Sequence, residues 1–228
     1  MRRWAALLGF LLVGLSATSA RADGLTATPE ANDPAMRSFV PERRNGAILG
    51  VSGGLALAGA SGYPNDIKLI GNPDFYSESP LLAGWATSAF LMGALNDYVS
   101  FGPLFNIATF DTPKWKSTGF ALGFRADFFP FVKLLPKLAD TAVYGQLGFG
   151  STKLQAKGPY PSADGSQSFL GIGVHHEFRL GRFLGGHGAA GPMVEYNAIR
   201  SDSAERHWLT MGLRVVWYGG RVQLDGPR

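Results

Sequence analysis

Charged side chains in the second half of the chain recur at every other position within several segments. Successive side chains of a β-strand point to opposite faces, so residues with this spacing share one face. Six of them carry three positive and three negative charges, and we predict that they face a narrow interior in which they must pair. These residues are Arg125, Asp127, Glu177, Arg179, Glu195 and Arg214. The pattern predicts a buried ionic network, not a reaction centre.

The chain has four histidines and no cysteine. His175 and His176 are adjacent, so a strand sends them to opposite faces and they cannot share a metal ion. His187 and His207 lie near predicted strand ends, with no acidic cluster beside them. No serine lies two residues from His175 or His176, where a histidine-activated nucleophile is expected. We therefore predict no metal, no cofactor and no catalytic residue.

The first residues predict an exported protein. Arg2 and Arg3 precede a short apolar run from Trp4 to Leu15, and small residues at Ala20 and Ala22 suit a signal peptidase. We interpret residues 1–22 as a cleaved signal peptide. Residues 23–44 are rich in proline, alanine, threonine and charge without apolar periodicity, and we interpret them as a flexible periplasmic lead-in.

Charge and hydropathy exclude two classes of protein. The formal net charge is +4, from 21 basic and 17 acidic side chains. Cleavage removes Arg2, Arg3 and Arg21, which leaves 18 basic side chains and a net charge near +1. We therefore predict no nucleic-acid partner. No helix-length apolar run follows the signal, which argues against a helical inner-membrane bundle.

Beyond Asn45 the chain is rich in glycine, alanine and aromatic residues, in segments of alternating polarity separated by turn residues. This pattern predicts eight strands, each of which reaches the ~9–11 residues that a tilted strand needs to cross a bilayer. The predicted strands are Ala47–Gly59, Leu82–Leu95, Tyr98–Phe110, Gly119–Phe129, Thr141–Thr152, Ser168–Leu180, Ala189–Ile199 and His207–Tyr218.

The two faces of these strands predict the surroundings of the sheet. In the fourth strand Phe120, Leu122 and Phe124 share one face, whereas glycine, alanine and two charges occupy the other. A soluble β-protein carries many charged residues on its outer face, and this polar face has too few. We therefore predict an all-β fold, an eight-stranded antiparallel up-and-down transmembrane β-barrel over residues 45–219, with apolar side chains toward lipid. Residues 220–228 form a short C-terminal tail.

Two further features concern the strands themselves. Pro103 and Pro192 fall inside the third and seventh strands, and a closed barrel has no edge strand on which proline is harmless. We therefore expect either bulges there or strand boundaries that differ from those predicted. Aromatic residues cluster at strand ends and predict interfacial girdles. We place Trp85, Phe110 and Trp115 at the external interface and Tyr98, Phe128, Phe129, Phe131, Phe183, Trp217 and Tyr218 at the periplasmic one.

The predicted architecture resembles the small eight-stranded outer-membrane barrels, the group that includes the transmembrane domain of outer-membrane protein A. The last strand also resembles the assembly signal of that group, since Thr210, Gly212, Val215 and Trp217 follow its order of polar, glycine, hydrophobic and aromatic residues. The resemblance implies location in the cell outer membrane and contact with outer-membrane lipid and lipopolysaccharide. It also implies recognition of the last strand by the barrel assembly machinery.

Several functions are compatible with such a barrel. The first is a non-catalytic protein with a structural or surface-interaction role, whose lumen is plugged by the ionic network, because eight strands leave an interior about wide enough for side chains. The alternatives are a narrow pore for water or small ions, a lipid A-modifying outer-membrane enzyme and a soluble lipid-carrying barrel of the periplasm. The first external loop, Ser61–Pro80, is a surface for a ligand that the sequence does not name.

Overall fold

A computed structural model describes Arg44 and residues 46–220 of the chain. The predicted signal peptide, the rest of the lead-in and the tail beyond Gly220 lie outside the described residues. The strands are β1 (Ala47–Gly62), β2 (Ser77–Glu78), β3 (Leu82–Ala94), β4 (Val99–Asp111), β5 (Trp115–Phe128), β6 (Thr141–Ala156), β7 (Ala163–His176), β8 (Phe178–Phe183), β9 (Gly186–Arg200) and β10 (Ala204–Tyr218). Short 3-10 turns occupy Pro73–Phe75 and Pro136–Leu138. In this part of the chain, no helix has the length and apolarity needed to cross a membrane.

The strands close into an antiparallel barrel. Each barrel strand pairs with its sequence neighbour, and β10 pairs with β1 over fifteen residue pairs, from Ile48 opposite Tyr218 to Gly62 opposite Ala204. The segments β7 and β8 together act as one barrel strand, because both pair with β9 and only Glu177 separates them. The two-residue β2 pairs with the end of β1 outside this ring. The eight-stranded barrel predicted from the sequence is confirmed.

Side chains alternate between the two surfaces of the barrel as predicted. On β5, Phe120, Leu122 and Phe124 point outward, and Leu122 is 56% exposed. The intervening Ala121 and Arg125 are buried in the interior. A sealed apolar core would have the opposite arrangement, so the structure excludes the soluble lipid carrier, and the outer face forms an apolar belt suited to lipid.

The strands extend further than predicted at their external ends. Strand β6 continues to Ala156 and β7 begins at Ala163, although the sequence pattern ends at Thr152 and resumes at Ser168. Above the apolar belt the outer face is polar, as at Lys153 and Gln155, whereas the inner face carries buried apolar side chains such as Leu154. The alternation of polarity is therefore reversed there while backbone pairing continues. The connections between these strands are correspondingly short.

The structure also corrects the aromatic girdles. Phe110, Trp115, Phe129 and Tyr218 are buried inside the barrel and do not face an interface. Phe110 lies an even number of residues from Asn106 on β4, so both side chains point inward. Trp85 and Phe128 are about half exposed on the outer face, as predicted for girdle residues.

The two prolines interrupt pairing without shifting its register. Leu104 pairs with Phe90 and Phe101 with Gly93, so the ladder between β3 and β4 skips the residues around Pro103 and then resumes in register. Pro192 faces the break between β7 and β8, where the ladder to β9 stops at Met193. The bulges predicted at these prolines are therefore wrong. A register shift does occur in the ladder between β8 and β9, between Arg179 and Gly181. Gly181 has a φ of 121° at this point.

Inward-facing glycines make room for the large side chains of the lumen. A Cβ on Gly50 would lie 2.3 Å from the Phe90 ring, and one on Gly173 would lie 2.4 Å from the Tyr144 ring. Since no Cβ approaches another atom so closely, these two positions require glycine for the observed packing. Glycine at positions 50 and 173 thus reflects the volume of the side chains opposite.

The lipid-facing belt yields a stability prediction. Leu122→Arg, near the middle of β5, is expected to destabilise the folded barrel by about 2–4 kcal/mol, because a charge near the bilayer midplane loses its hydration. Thr118→Arg lies on the same face four residues nearer the external end of β5, and should cost only about 0–1 kcal/mol. Urea-induced unfolding from lipid vesicles measures both costs. Equal costs for the two variants would contradict the assigned depth of Leu122.

Candidate functional site

An ion pair crosses the full width of the barrel. Arg214 on β10 and Asp127 on β5 lie on opposite sides, four barrel strands apart, and Arg214 Nη2 is 2.8 Å from Asp127 Oδ2. Their side chains are 1% and 0% exposed. Arg125, two residues before Asp127, donates a hydrogen bond from Nε to Asp127 Oδ1 at 2.6 Å. One carboxylate therefore bridges two guanidinium groups at the centre of the lumen.

Glu177 extends this chain of charges toward the periplasmic end. Arg214 Nε donates to Glu177 Oε1 at 2.9 Å, and the Tyr218 hydroxyl donates to Oε2 at 2.5 Å. His175 Nε2 lies 3.3 Å from Oε1. Glu177 sits at the break between β7 and β8, where its backbone N–H donates to the carbonyl of Asp140. Glu177 is buried and lies two residues from the buried His175, so its carboxylate faces the lumen as alternation predicts.

Aromatic faces cover the two central guanidinium groups. Arg125 lies 3.5 Å above the centroid of the Tyr144 ring and 4.9 Å from that of Phe90. Arg214 lies 4.4 Å from the centroid of the same Phe90 ring. Such contacts favour a desolvated cation electrostatically. Together with the carboxylates, they replace water around both arginines.

Glu195 forms a second cluster with neutral partners. Its carboxylate accepts hydrogen bonds from Tyr144 Oη at 2.9 Å, Gln146 Nε2 at 3.2 Å and Asn197 Nδ2 at 2.8 Å. Among residues 46–220 and Arg44, no cation lies within ion-pair distance of this carboxylate. The structure therefore brings together Arg125, Asp127, Glu177 and Arg214, and holds Glu195 beside them through amide and phenol donors.

Arg179 lies outside the central network, at the periplasmic mouth. Its side chain is 35% exposed, and Nε is 3.9 Å from Asp140 Oδ2. Arg44, from the predicted lead-in, occupies this mouth. It donates to Asp140 Oδ1 at 2.7 Å and to the Asp97 carbonyl at 3.1 Å, and its guanidinium lies 3.3 Å from the centroid of the Phe129 ring. The sequence carried no signal for this role, because the residues before Asn45 show no strand periodicity.

Arg206 is a further buried cation that the strand prediction missed, since that strand began one residue later. Arg206 and Arg214 are an even number of residues apart on β10, so their side chains point to the same inward face. Extending the predicted strand by one residue would therefore have placed Arg206 in the lumen. Its Nη1 lies 3.4 Å from Ser117 Oγ, and its guanidinium lies 4.6 Å from the Trp208 ring centroid. Arg206 belongs to the external half of the lumen, where β5 and β10 begin.

The connection between β1 and β3, residues 63–81, reaches across the external mouth. The Tyr63 N–H donates to the Ser203 carbonyl at 2.6 Å, on the β9–β10 connection. The Ser77 hydroxyl donates to the Pro161 carbonyl at 2.6 Å, on the β6–β7 connection. The first bond continues the ladder between β1 and β10, and the second ties the first external loop to the far side of the barrel rim.

A chain of polar groups lies on the outer surface near the external end. Tyr196 Oη is 2.7 Å from His207 Nδ1, and His207 Nε2 is 2.7 Å from Glu205 Oε1. His176, which was considered above for catalysis, is not part of this chain of polar groups. Its Nδ1 lies 2.7 Å from Thr141 Oγ1. Among the described residues, no group of three or more acidic or histidine side chains is arranged to hold a metal ion.

The residues of the predicted assembly signal lie on both faces of β10. Thr210 and Gly212 lie on the inward face of β10, and Thr210 is buried. Val215 and Trp217 lie on the outward face, and Val215 is exposed. Recognition of this strand by the assembly machinery stays a prediction.

A closed barrel with an apolar outer belt and a polar, charge-paired interior is the architecture of integral outer-membrane β-barrel proteins. Residues 47–218 have this architecture, so the chain is an outer-membrane β-barrel protein.

Comparisons with known proteins add structural neighbours. No protein-family model and no curated protein sequence matches the chain. Ail, the attachment invasion locus protein of Yersinia pestis, is similar in structure, with 12% identity, 75% of this chain and 99% of that chain covered, and a TM-score of 0.46. Neisserial surface protein A matches with 16% identity, coverages of 75% and 99%, and a TM-score of 0.40. The outer membrane protein OprG from Pseudomonas aeruginosa matches with 9% identity, coverages of 78% and 100%, and a TM-score of 0.36.

The cross-lumen ion pair yields a second stability prediction. Arg214→Met is expected to destabilise the barrel by about 3–5 kcal/mol, because it leaves Asp127 and Glu177 buried with less countercharge. Adding Glu177→Gln should recover part of this loss, since it removes one of the two carboxylates. Urea-induced unfolding from lipid vesicles is the measurement.

Glu205→Gln is the matched control for these variants. It removes one charge from the exposed contact with His207 and should cost no more than about 1 kcal/mol. If Arg214→Met cost no more than Glu205→Gln, the cross-lumen pair would not hold the structure.

Proposed function

We propose that this protein is a non-catalytic outer-membrane barrel whose lumen is closed by an ion-pair plug, and that it serves a structural or surface-interaction role. The observation that carries the proposal is the buried contact between Arg214 and Asp127, which joins opposite sides of the barrel. A solute crossing the lumen would have to separate these groups. Separating a buried ion pair costs several kcal/mol, because each charge is left without solvent or partner.

The two mouths support the same conclusion. Arg44 bridges Asp97 and Asp140 at the periplasmic end, and the β1–β3 connection is tied across the external end. Beside Arg44 and Tyr218 lies a cavity of about 10 Å³, which is room for about one water molecule. The central ion pairs are therefore the plug itself, and these contacts narrow the mouths on either side of it.

A surface role would use the external connections and the lipid-facing belt. Ile67, Tyr76 and Tyr160 expose apolar or aromatic side chains on these connections. Exposed loops held by a rigid scaffold are common binding surfaces. The apolar belt and the rim above it would contact outer-membrane lipid and lipopolysaccharide.

Conductance tests the plug against the narrow-pore alternative. The mature protein in planar bilayers is expected to show no steady single-channel conductance. The double variant Asp127→Ala/Arg214→Ala removes the cross-lumen pair without changing net charge, and we expect it to conduct steadily.

Arg200→Ala/Glu205→Ala is the matched control, because it removes an opposite-charge pair that faces outward in the β9–β10 register. It should stay closed. Steady conductance of the unmodified protein, altered by Arg125→Ala, would replace the plug with the narrow pore. A folded double variant that stays closed would show that this ion pair does not block the lumen.

The catalytic alternative rests on the chain of Tyr196, His207 and Glu205. A carboxylate and an imidazole aligned with a hydroxyl is an arrangement that activates a nucleophile. Its place on the outer surface near the external end gives it access to lipid of the outer leaflet. The cluster is therefore the specific observation in favour of a lipid A-modifying enzyme.

Mass spectrometry of lipid A distinguishes the two functions. Cells that make the protein, cells that lack it and cells that make His207→Asn are expected to show the same lipid A acylation, because the proposed role involves no lipid chemistry. An acylation change that appears with the unmodified protein and is absent with His207→Asn would establish the enzyme instead.

A further inference from the structure

Arg206 spans the lumen toward the external end of the barrel, eight residues along β10 from Arg214. It starts on β10 and reaches β5 on the opposite side, where Nη1 lies 3.4 Å from Ser117 Oγ. A Cβ on Gly119 would lie 2.4 Å from Nη2, so this glycine leaves the space that the guanidinium occupies. The side chain is 0% exposed. Arg206 is therefore a buried cation held against the backbone of the far strand.

This guanidinium has no countercharge in the described part of the chain. No carboxylate of these residues lies within ion-pair distance of Arg206, and its Nε and Nη2 atoms have no hydrogen-bond partner there. The other buried arginines, Arg44, Arg125 and Arg214, each reach a carboxylate. A buried cation without a partner is costly, so this position favours binding of a negative charge.

Glu195 does not neutralise Arg206. The register of β9 and β10 places Glu195 beside Thr210, four residues along β10 from Arg206. At ~3.3 Å per residue, this separates the two levels by roughly 13 Å along the strand. The Glu195 carboxylate is already surrounded by the donors of Tyr144, Gln146 and Asn197.

The groups around Arg206 are mainly hydrogen-bond donors. Trp208 lies next to it on the same face of β10, and its buried Nε1 has no partner among the described residues. Thr152, which pairs with Gly119 in the β5–β6 ladder, is also buried with its hydroxyl unpartnered in that set. Guanidinium and indole N–H groups only donate, so a ligand here must accept hydrogen bonds. The site thus combines a positive charge with two neighbouring donor groups that have no partner among the described residues.

We propose that the external half of the lumen binds a small monovalent anion of chloride size on Arg206, with Trp208 and Thr152 as further donors. A small ion suits the position, because large buried side chains such as Phe110 and Phe169 surround it. The anion supplies the negative charge that the described residues do not.

Bromide is a suitable probe, because it resembles chloride and quenches tryptophan fluorescence on contact. The mature protein is titrated in detergent micelles with sodium bromide, at an ionic strength held constant with sodium gluconate. We expect a saturable component of quenching from Trp208. In Arg206→Met, which keeps the length of the side chain and removes the charge, this component should be lost.

Arg182→Met is the matched control, since Arg182 is exposed and far along the chain from the site. It should retain saturable quenching. As a second readout, replacing gluconate with chloride should raise the unfolding midpoint of the unmodified protein by about 2–4 °C and leave Arg206→Met unchanged. Linear quenching that is the same in all three proteins would overturn the proposal. Chloride stabilisation that persists in Arg206→Met, or stabilisation by phosphate alone, would overturn it too.

Discussion

The continuous ladder between β1 and β10 is the constraint on which the rest of this structure depends. In a bilayer core there is no water to satisfy an edge strand, so a spanning sheet must close on itself. The fifteen residue pairs between β1 and β10 achieve this closure. Closure separates an outer surface from a lumen, and every side chain of the barrel strands must then suit one of these two surroundings.

Eight strands enclose an interior that side chains can fill, and this explains the unusual composition of the lumen. Glycine at positions such as 50, 119 and 173 makes room for Phe90, Arg206 and Tyr144, respectively. The charges that remain must find partners, because water is excluded. Arg214 and Asp127 satisfy this requirement across the lumen, and the neutral donors around Glu195 satisfy it locally. Arg206 is the exception that points to a bound anion.

Much of the fold was predictable because a strand has a side-chain period of two, and this period is visible in one sequence. It placed Leu122 outside and Arg125 inside correctly. Several predicted strands were too short at their external ends, where polar residues face outward and apolar residues face inward. Trp115 lay outside the predicted fourth strand for this reason and was assigned to an interface although it is buried. Phe110 lay within the predicted third strand, where alternation points it inward, but its place at the strand end led to the same wrong assignment. The prolines at 103 and 192 were read as bulges because the local sequence does not show whether a ladder resumes in register.

The sequence by itself determined which face of each predicted strand points into the lumen, since alternation along one strand requires no knowledge of the others. Only the tertiary structure decided which of these residues meet. The contact of Arg214 with Asp127 depends on β10 and β5 lying on opposite sides of a closed ring, and on the relative stagger of the strands between them. Neither quantity is encoded in the spacing of residues within a strand. For the same reason Arg44, which precedes the first strand, gained its place at the periplasmic mouth only when the barrel closed around it.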